Sequence, residues 1–220
     1  MKSKKINLIS NFKKFDLDSN FIFSAFNLAF IAYFLLGIIN TNKNTFLWCD
    51  GLFGKIYSKS PKIPGNKFIS FFYKYRFKEI IIVGNNTKRQ INFLKKNFKT
   101  KVRYLNLPFI NKNNVKKFTI KTNKKSLILI TLPTPKQEML ATEISKKNKN
   151  FKIICIGGGL GIAAGDIKGC PKIIQNMGLE FIWRLNTDTY RRIRRLLYTF
   201  FIYLKNITQI NDKIKIKLIN

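Results

Sequence analysis

Short, wholly apolar runs alternate along this chain with stretches whose apolar residues recur every three or four positions. EIIIVG (79–84), SLILIT (126–131) and KIICIG (152–157) are runs of the first kind, and TFLWC (45–49) and KVRYL (101–105) have strand length and β-rich composition. Helical spacing is predicted over 66–76, 88–97, about 135–147 and, as a long last helix, 188–205. Strands apolar on both faces, each followed by a helix, predict a mainly parallel sheet with helices on both faces. Phe68, Phe71, Phe72 and Tyr75 share helical spacing and are expected in the core. Phe21–Ile39 carries no charge and is long enough for a membrane span. Ser24, Asn27 and Gly37 interrupt it, and an Asn is expensive in lipid, so it is read as a buried strand entering a buried helix with Asn27 near the junction. The first twenty residues are basic and polar and do not read as a signal peptide. The pattern divides into an α/β domain over 1–185 and a basic, amphipathic helical appendage over 186–220.

Composition narrows the chemistry. The chain has 220 residues and no histidine, which excludes His-based acid–base and nucleophilic catalysis and His-ligated metal sites. Cys49, Cys155 and Cys170 form no CxxC pair and are expected to stay reduced in a cytosolic compartment. Forty-two Lys and Arg against ten Asp and Glu give a net charge of +32. That balance points to nucleic acid, an anionic membrane surface or a phosphorylated substrate. Lysine is spread from end to end, whereas five of the eight arginines (Arg184, Arg191, Arg192, Arg194 and Arg195) fall in one stretch. Guanidinium groups bind phosphate bidentately, so the cluster is more specific than the total.

With ten carboxylates, few general bases are available. Asp50 follows an apolar strand and precedes Gly51, where open α/β sheets place ligand-contacting groups. It reads equally as a turn or helix cap; as a functional group it would accept a proton from an attacking hydroxyl. GNNTKRQ (84–90) joins a strand to a helix whose N-terminus suits a phosphate. IGGGLGIAAGD (156–166) is read as close backbone packing or a substrate-lining loop. TLPTPKQEML (131–140) sets Lys136, Gln137 and Glu138 on the first turn of a helix at the sheet's carboxyl edge.

Asp50-Gly51, Gly84-Asn85, Pro135–Glu138, Gly157–Gly159, Ala164-Gly165, Cys170–Lys172, the GLEFIWRL string at 178–185 and the Arg191–Arg195 run occur in this order. In that order they resemble the WecG/TagA/CpsF bacterial glycosyltransferases (glycosyltransferase family 26), over roughly residues 20–205. The family's usual Thr before the junction Asn is replaced by Ala25, with Ser24 beside it, and its Arg after the Asp-Gly helix by Lys62. The resemblance implies a Rossmann-like fold and a hexosyltransferase that needs neither metal nor cofactor. It implies transfer, with inversion, of an N-acetylmannosamine-type sugar from a UDP-sugar to a polyprenyl-diphosphate-linked acceptor for cell-surface polysaccharide. The enzyme would be cytoplasmic and peripheral at the inner face of the bacterial plasma membrane. Asp50 would be the catalytic base. Asn27, Gly51, Lys62, Gly84, Asn85, Lys136, Gln137 and Glu138 would bind substrate, with Arg191, Arg194 and Arg195 on the lipid diphosphate. The expected partners are the donor, the acceptor and an anionic membrane surface; a homo-oligomer is left open and no nucleic acid is expected. The alternatives are a basic nucleic-acid-binding module and a catalytically degenerate family member.

Overall fold

The computed structural model describes residues 4–58, 60–108, 110–176, 183, 190–210 and 214–219. In chain order the elements are β1 (Lys4–Ile9), β2 (Phe21–Phe26), α1 (Leu28–Leu35), β3 (Thr45–Cys49), α2 (Gly51–Ser58), α3 (Gly65–Phe68), β4 (Glu79–Gly84), α4 (Lys88–Phe98), β5 (Lys101–Asn106) and α5 (Lys112–Lys117). They continue with β6 (Ser126–Ile130), α6 (Lys136–Lys147), β7 (Lys152–Cys155), α7 (Gly159–Ala163), α8 (Lys172–Asn176), α9 (Tyr190–Lys205) and β8 (Ile214–Ile219). The strands form one eight-stranded sheet in the order β5-β4-β6-β7-β2-β3-β1-β8, and every pairing is parallel.

Alternation along the strands sorts the core into two faces. Ile80 and Ile82, with Leu127, Leu129 and Ile154, pack against Phe68 of α3, Leu94 and Phe98 of α4 and Leu160 of α7. Ile81, Val83, Ile128, Ile130 and Ile153 point the other way, onto Val115 of α5 and Leu140, Ala141 and Ile144 of α6. That second face continues past β2, where Phe26, Leu47, Ile6 and Leu8 meet α1 and Tyr203 of α9. The central strands β4, β6 and β7 are buried almost throughout, as crossover helices on both sides require.

Residues 21–39 are a buried strand, β2, followed by a buried helix, α1, and Asn27 is the cap between them. No helix among the described residues is long and apolar enough to cross a membrane. The expected helix over 66–76 is shorter: α3 ends at Phe68 and a single 3-10 turn spans Ile69–Phe72. Phe68 and Phe72 are buried there, with the Phe68 ring stacked on Trp48 at 3.9 Å, but Phe71 is 46% exposed and lies on Phe12.

Within 186–220, α9 is the basic helix expected there, and β8 follows it. β8 lies inside the stretch set apart as an appendage, yet it pairs with β1 over all six residues from Lys4↔Ile214 to Ile9↔Ile219. α9 packs along α1. The edge strand β8, IKIKLI, alternates apolar and lysine residues over its first four positions, the pattern of a half-buried strand, which a high overall charge disguises as a basic tail. Of GLEFIWRL, only Trp183 lies among the described residues.

Candidate active site at the carboxyl edge

Strand order reverses at β4: β5 lies on one side of it and β6 on the other. The helices after β4 and β6 also leave on opposite faces. The carboxyl ends of strands at such a reversal are the position at which open α/β sheets bind ligands.

The β4–α4 turn begins at Gly84, whose φ is +142°; a Cβ there would lie 2.1 Å from Thr131 Oγ1. Only glycine lets the two strand ends approach this closely. Asn85 is exposed. Asn86 is buried, and neither atom of its side-chain amide has a hydrogen-bond partner; its backbone N–H donates to Tyr104 Oη at 3.1 Å. Sequence reading singled out Asn85 rather than Asn86, because nothing in G-N-N-T says which Asn turns inward. Thr87 caps α4 by accepting from Gln90 N at 3.2 Å. Its hydroxyl donates to Asp166, which also pairs with Arg89 at 3.7 Å. The anion at this helix N-terminus is thus the chain's own carboxylate, delivered by the Gly-rich segment.

After β6, the loop through Pro133 and Pro135 delivers α6. Lys136 is half-buried, whereas Gln137 and Glu138 are 4% and 5% exposed. Glu138 Oε1 accepts from Ser24 Oγ at 2.8 Å, Thr134 Oγ1 at 3.1 Å and Gln137 Nε2 at 2.8 Å. Glu138 Oε2 and Gln137 Oε1 are buried without partners. Burial outweighs these hydrogen bonds and holds the Glu138 carboxyl above its ordinary range. The neighbouring Cys155 thiol is pushed well up too, first by burial and then by Glu138. Sequence reading placed Glu138 on the helix but not its tie to Ser24, which lies 114 residues earlier.

A second group surrounds the end of β3. Asp50 is half-buried, and its backbone N–H donates to Phe26 O at 3.2 Å. Gly51 follows with φ +72° and opens α2. Gly54 presses on the end of β2, since a Cβ there would lie 2.1 Å from Phe26 O. The chain returns after α2 so that Ile63 N donates to Cys49 O at 2.8 Å. Burial, and secondarily Asp50, raise the Cys49 thiol against the lowering effect of Ser58, Lys62 and Lys55, which sets all these groups around one strand end. Lys62 Nζ donates to Gln175 O at 3.0 Å and so anchors α8 over this corner. Asn27, at the adjacent end of β2, accepts from Phe30 N with its side-chain oxygen at 3.1 Å and so caps α1.

The two groups communicate through β2, which carries Ser24 at one contact and Phe26 at the other, about 7 Å apart. The Gly-rich turn after β7 lies between them. Gly157 sits over Gln137, and Gly159 is packed on Gly65 so tightly that a Cβ would be 3.1 Å from its carbonyl carbon. This is the close backbone packing expected of 156–166. Strand spacing puts Gly84 and Asp50, four strands apart, at roughly 19 Å.

Arg194 is exposed and Arg195 half-buried beside Tyr33 of α1, where its charge acts on the phenol. Arg191 belongs to α9, but its side chain is outside the described residues, as is that of Arg192. It is Phe200 and Tyr203, further along α9, that meet Phe53 of α2; Tyr203 Oη and Tyr57 Oη are 2.7 Å apart. Among the described residues, no three His, Cys, Asp or Glu side chains come together as a chelating set.

The family model described as "Glycosyl transferase WecG/TagA/CpsF family" matches residues 74–215, well over half of the chain. The chain belongs to this family. Its fold, an all-parallel α/β sheet with a topological switch at β4, is suited to the transferase activity that membership in the WecG/TagA/CpsF glycosyltransferases gives it. Membership also connects it with cell-surface polysaccharide synthesis. Gly84, Asn85, Lys136, Gln137, Glu138 and the arginine run fall within the match; Asn27, Asp50, Gly51 and Lys62 lie before it.

Proposed function

We propose that the protein is an inverting hexosyltransferase that moves an N-acetylmannosamine-type sugar from a UDP-sugar to a polyprenyl-diphosphate-linked acceptor. In this reading the acceptor hydroxyl attacks the anomeric carbon as its proton passes to the Asp50 carboxylate. The bond from that carbon to the UDP oxygen breaks, and UDP leaves with the electron pair. Lys62 and the N-terminus of α6 offset the charge developing on the leaving diphosphate. The observation that carries the reading is the half-buried Asp50 just past the end of β3, next to Cys49, whose thiol also feels Lys62 and Lys55, in a chain of a glycosyltransferase family.

Membrane contact is assigned to α9. Leu197, Tyr198, Phe201 and Leu204 are exposed apolar residues on the helix that carries Arg194, a combination that suits an interface of anionic headgroups. This would keep the protein peripheral at the cytoplasmic face, beside its lipid-linked substrate.

The test is a panel of UDP-sugars offered with a short-chain prenyl-diphosphate-GlcNAc acceptor. Product with one UDP-N-acetylhexosamine and none with UDP-hexoses supports the reading. No transfer and no UDP release from any donor would remove it.

A further inference from the structure

Gln137 has two amide hydrogens and both are spent: Nε2 donates to Glu138 Oε1 at 2.8 Å and to Thr134 Oγ1 at 3.1 Å. Thr134 in turn donates to the same Glu138 oxygen at 3.1 Å, closing a ring of three side chains, and Ser24 adds a donor from β2 at 2.8 Å. The ring fixes which way the amide faces. Turned over, its carbonyl would meet the carboxyl oxygen on which the Ser24 and Thr134 hydroxyls already converge. What is left of Gln137 is Oε1, an acceptor that is buried and has no partner. Gly157 lies beside it, and a Cβ there would stand 3.6 Å from the oxygen, so the glycine keeps any side chain out of that approach.

We propose that Glu138 is a positioning residue of this site: together with Thr134 it takes up the Gln137 N–H groups, turns the Gln137 carbonyl oxygen toward the Gly157 turn, and makes the site select a substrate group that donates an N–H or O–H. Glu138 then does not touch the substrate, although the sequence set it among the substrate-binding residues. Ser24 serves the same arrangement from the neighbouring layer of the sheet. An uncharged donor is the group selected, because a phosphate or carboxylate facing a bare carbonyl oxygen in this buried place would be repelled. Where that donor sits rests on the sugar-nucleotide reading above, in which it is a sugar hydroxyl, an acetamido N–H or a group of the uridine.

The test uses the full chain labelled with ¹⁵N. It contains four glutamines, so the Gln137 NH2 pair is assigned by its disappearance in Q137L. In the parent, this pair is expected at a hydrogen-bonded position and to move as pH rises and Glu138 ionises. In E138Q it should stay bonded and lose the pH response; in E138L it should move to a free-amide position. Calorimetric titration with UDP-N-acetylglucosamine, UDP-glucose and UDP should show a loss of affinity of about tenfold or more in E138L, the usual effect of misplacing one buried hydrogen bond, with most of it restored in E138Q. A loss confined to the first ligand assigns the acetamido N–H; one shared with UDP-glucose assigns a hydroxyl; one shared with UDP assigns the uridine. Should E138L fail a thermal melt, S24A, which removes one donor and leaves the rest, replaces it with a smaller loss expected. An unmoved Gln137 pair, or parental affinity for all three ligands in a folded E138L or S24A, overturns the proposal. If the parent binds none of the three while the amide pair behaves as described, the sugar-nucleotide reading fails and the positioning network stands.

Discussion

Ser24 on β2 and Glu138 on α6, the helix that follows β6, share a 2.8 Å hydrogen bond although β7 lies between β6 and β2 in the sheet. Through it the loop after β6 and the strand that ends beside Asp50 are held at one spacing. The carboxyl accepting this bond has no cation beside it among the interactions that shift it, only hydroxyl and amide donors.

Its titration should therefore be visible in stability. The folded state binds the Glu138 proton more tightly than the unfolded chain, so this contribution is complete below the ordinary glutamate value of 4.5 and is lost as pH rises toward the raised folded value. Denaturant unfolding of parent and E138Q at pH 4, 6 and 8 is expected to show E138Q gaining on the parent as pH rises above 4, until the raised folded value is passed. The slope cannot exceed about 1.4 kcal/mol per pH unit for one proton. A constant difference across the series would mean that the folded state binds the Glu138 proton no more tightly than the unfolded chain does.

Asp50→Asn should fold as the parent does and lower transfer by roughly two to four orders of magnitude, the worth of a positioned general base. Circular dichroism and initial rates with the active donor check it. Near-parental rates in the folded variant would leave Asp50 as the cap of α2.

Asn86 is a buried amide without partners, and such groups cost stability unless a ligand uses them. Asn86→Leu is expected to melt at or above the parental temperature while KM for the donor rises about tenfold. A variant less stable than the parent, with KM unchanged, would show that the amide serves the fold.

Gly54→Ala should be among the more damaging single methyl additions, because the new Cβ would lie 2.1 Å from the backbone oxygen of Phe26. Overpacking of this kind costs about 1–3 kcal/mol, and here relief requires α2 to move, carrying Asp50 with it. Chemical denaturation and transfer rates should fall together. Loss of activity at full stability would argue that α2 shifts freely.

Replacing Arg191, Arg194 and Arg195 together by Gln should weaken co-sedimentation with anionic vesicles strongly, at about 1 kcal/mol per basic residue near the surface, and more at low salt than at high. Helical spacing puts Arg192 on another side, so Arg192→Gln should do little. Vesicle binding by the triple variant equal to the parent's would move recruitment away from α9.

The sequence reveals most where one physical rule acts alone. β3 and β4 span the residues expected of them, because fully apolar runs between turns have few other ways to be buried. β8 was hidden because an edge strand is half solvated and its lysines look like those of any basic tail, and β1 because it opens on two lysines within a basic, polar stretch. In the candidate site, Asp50 and Pro135–Glu138 are legible as residues just past strands. The Ser24–Glu138 bond and the inward turn of Asn86 are not, since both are decided by contacts distant in sequence. The arginine cluster showed its helix but not its neighbour: that α9 lies along α1 is a tertiary fact.

Ser10 Oγ reaches Ile219 O at 3.3 Å across 209 positions of sequence, beside the β1–β8 ladder. During synthesis β1 must therefore wait, one side unpaired, while nearly everything between is made. An exposed strand side is a place where nascent chains stick to one another, and the late ladder is also among the slowest kinds of contact to form. In a pulsed hydrogen-exchange experiment during refolding, the amides of the β1–β8 ladder should be the last of the sheet to gain protection, after those of β4, β6 and β7.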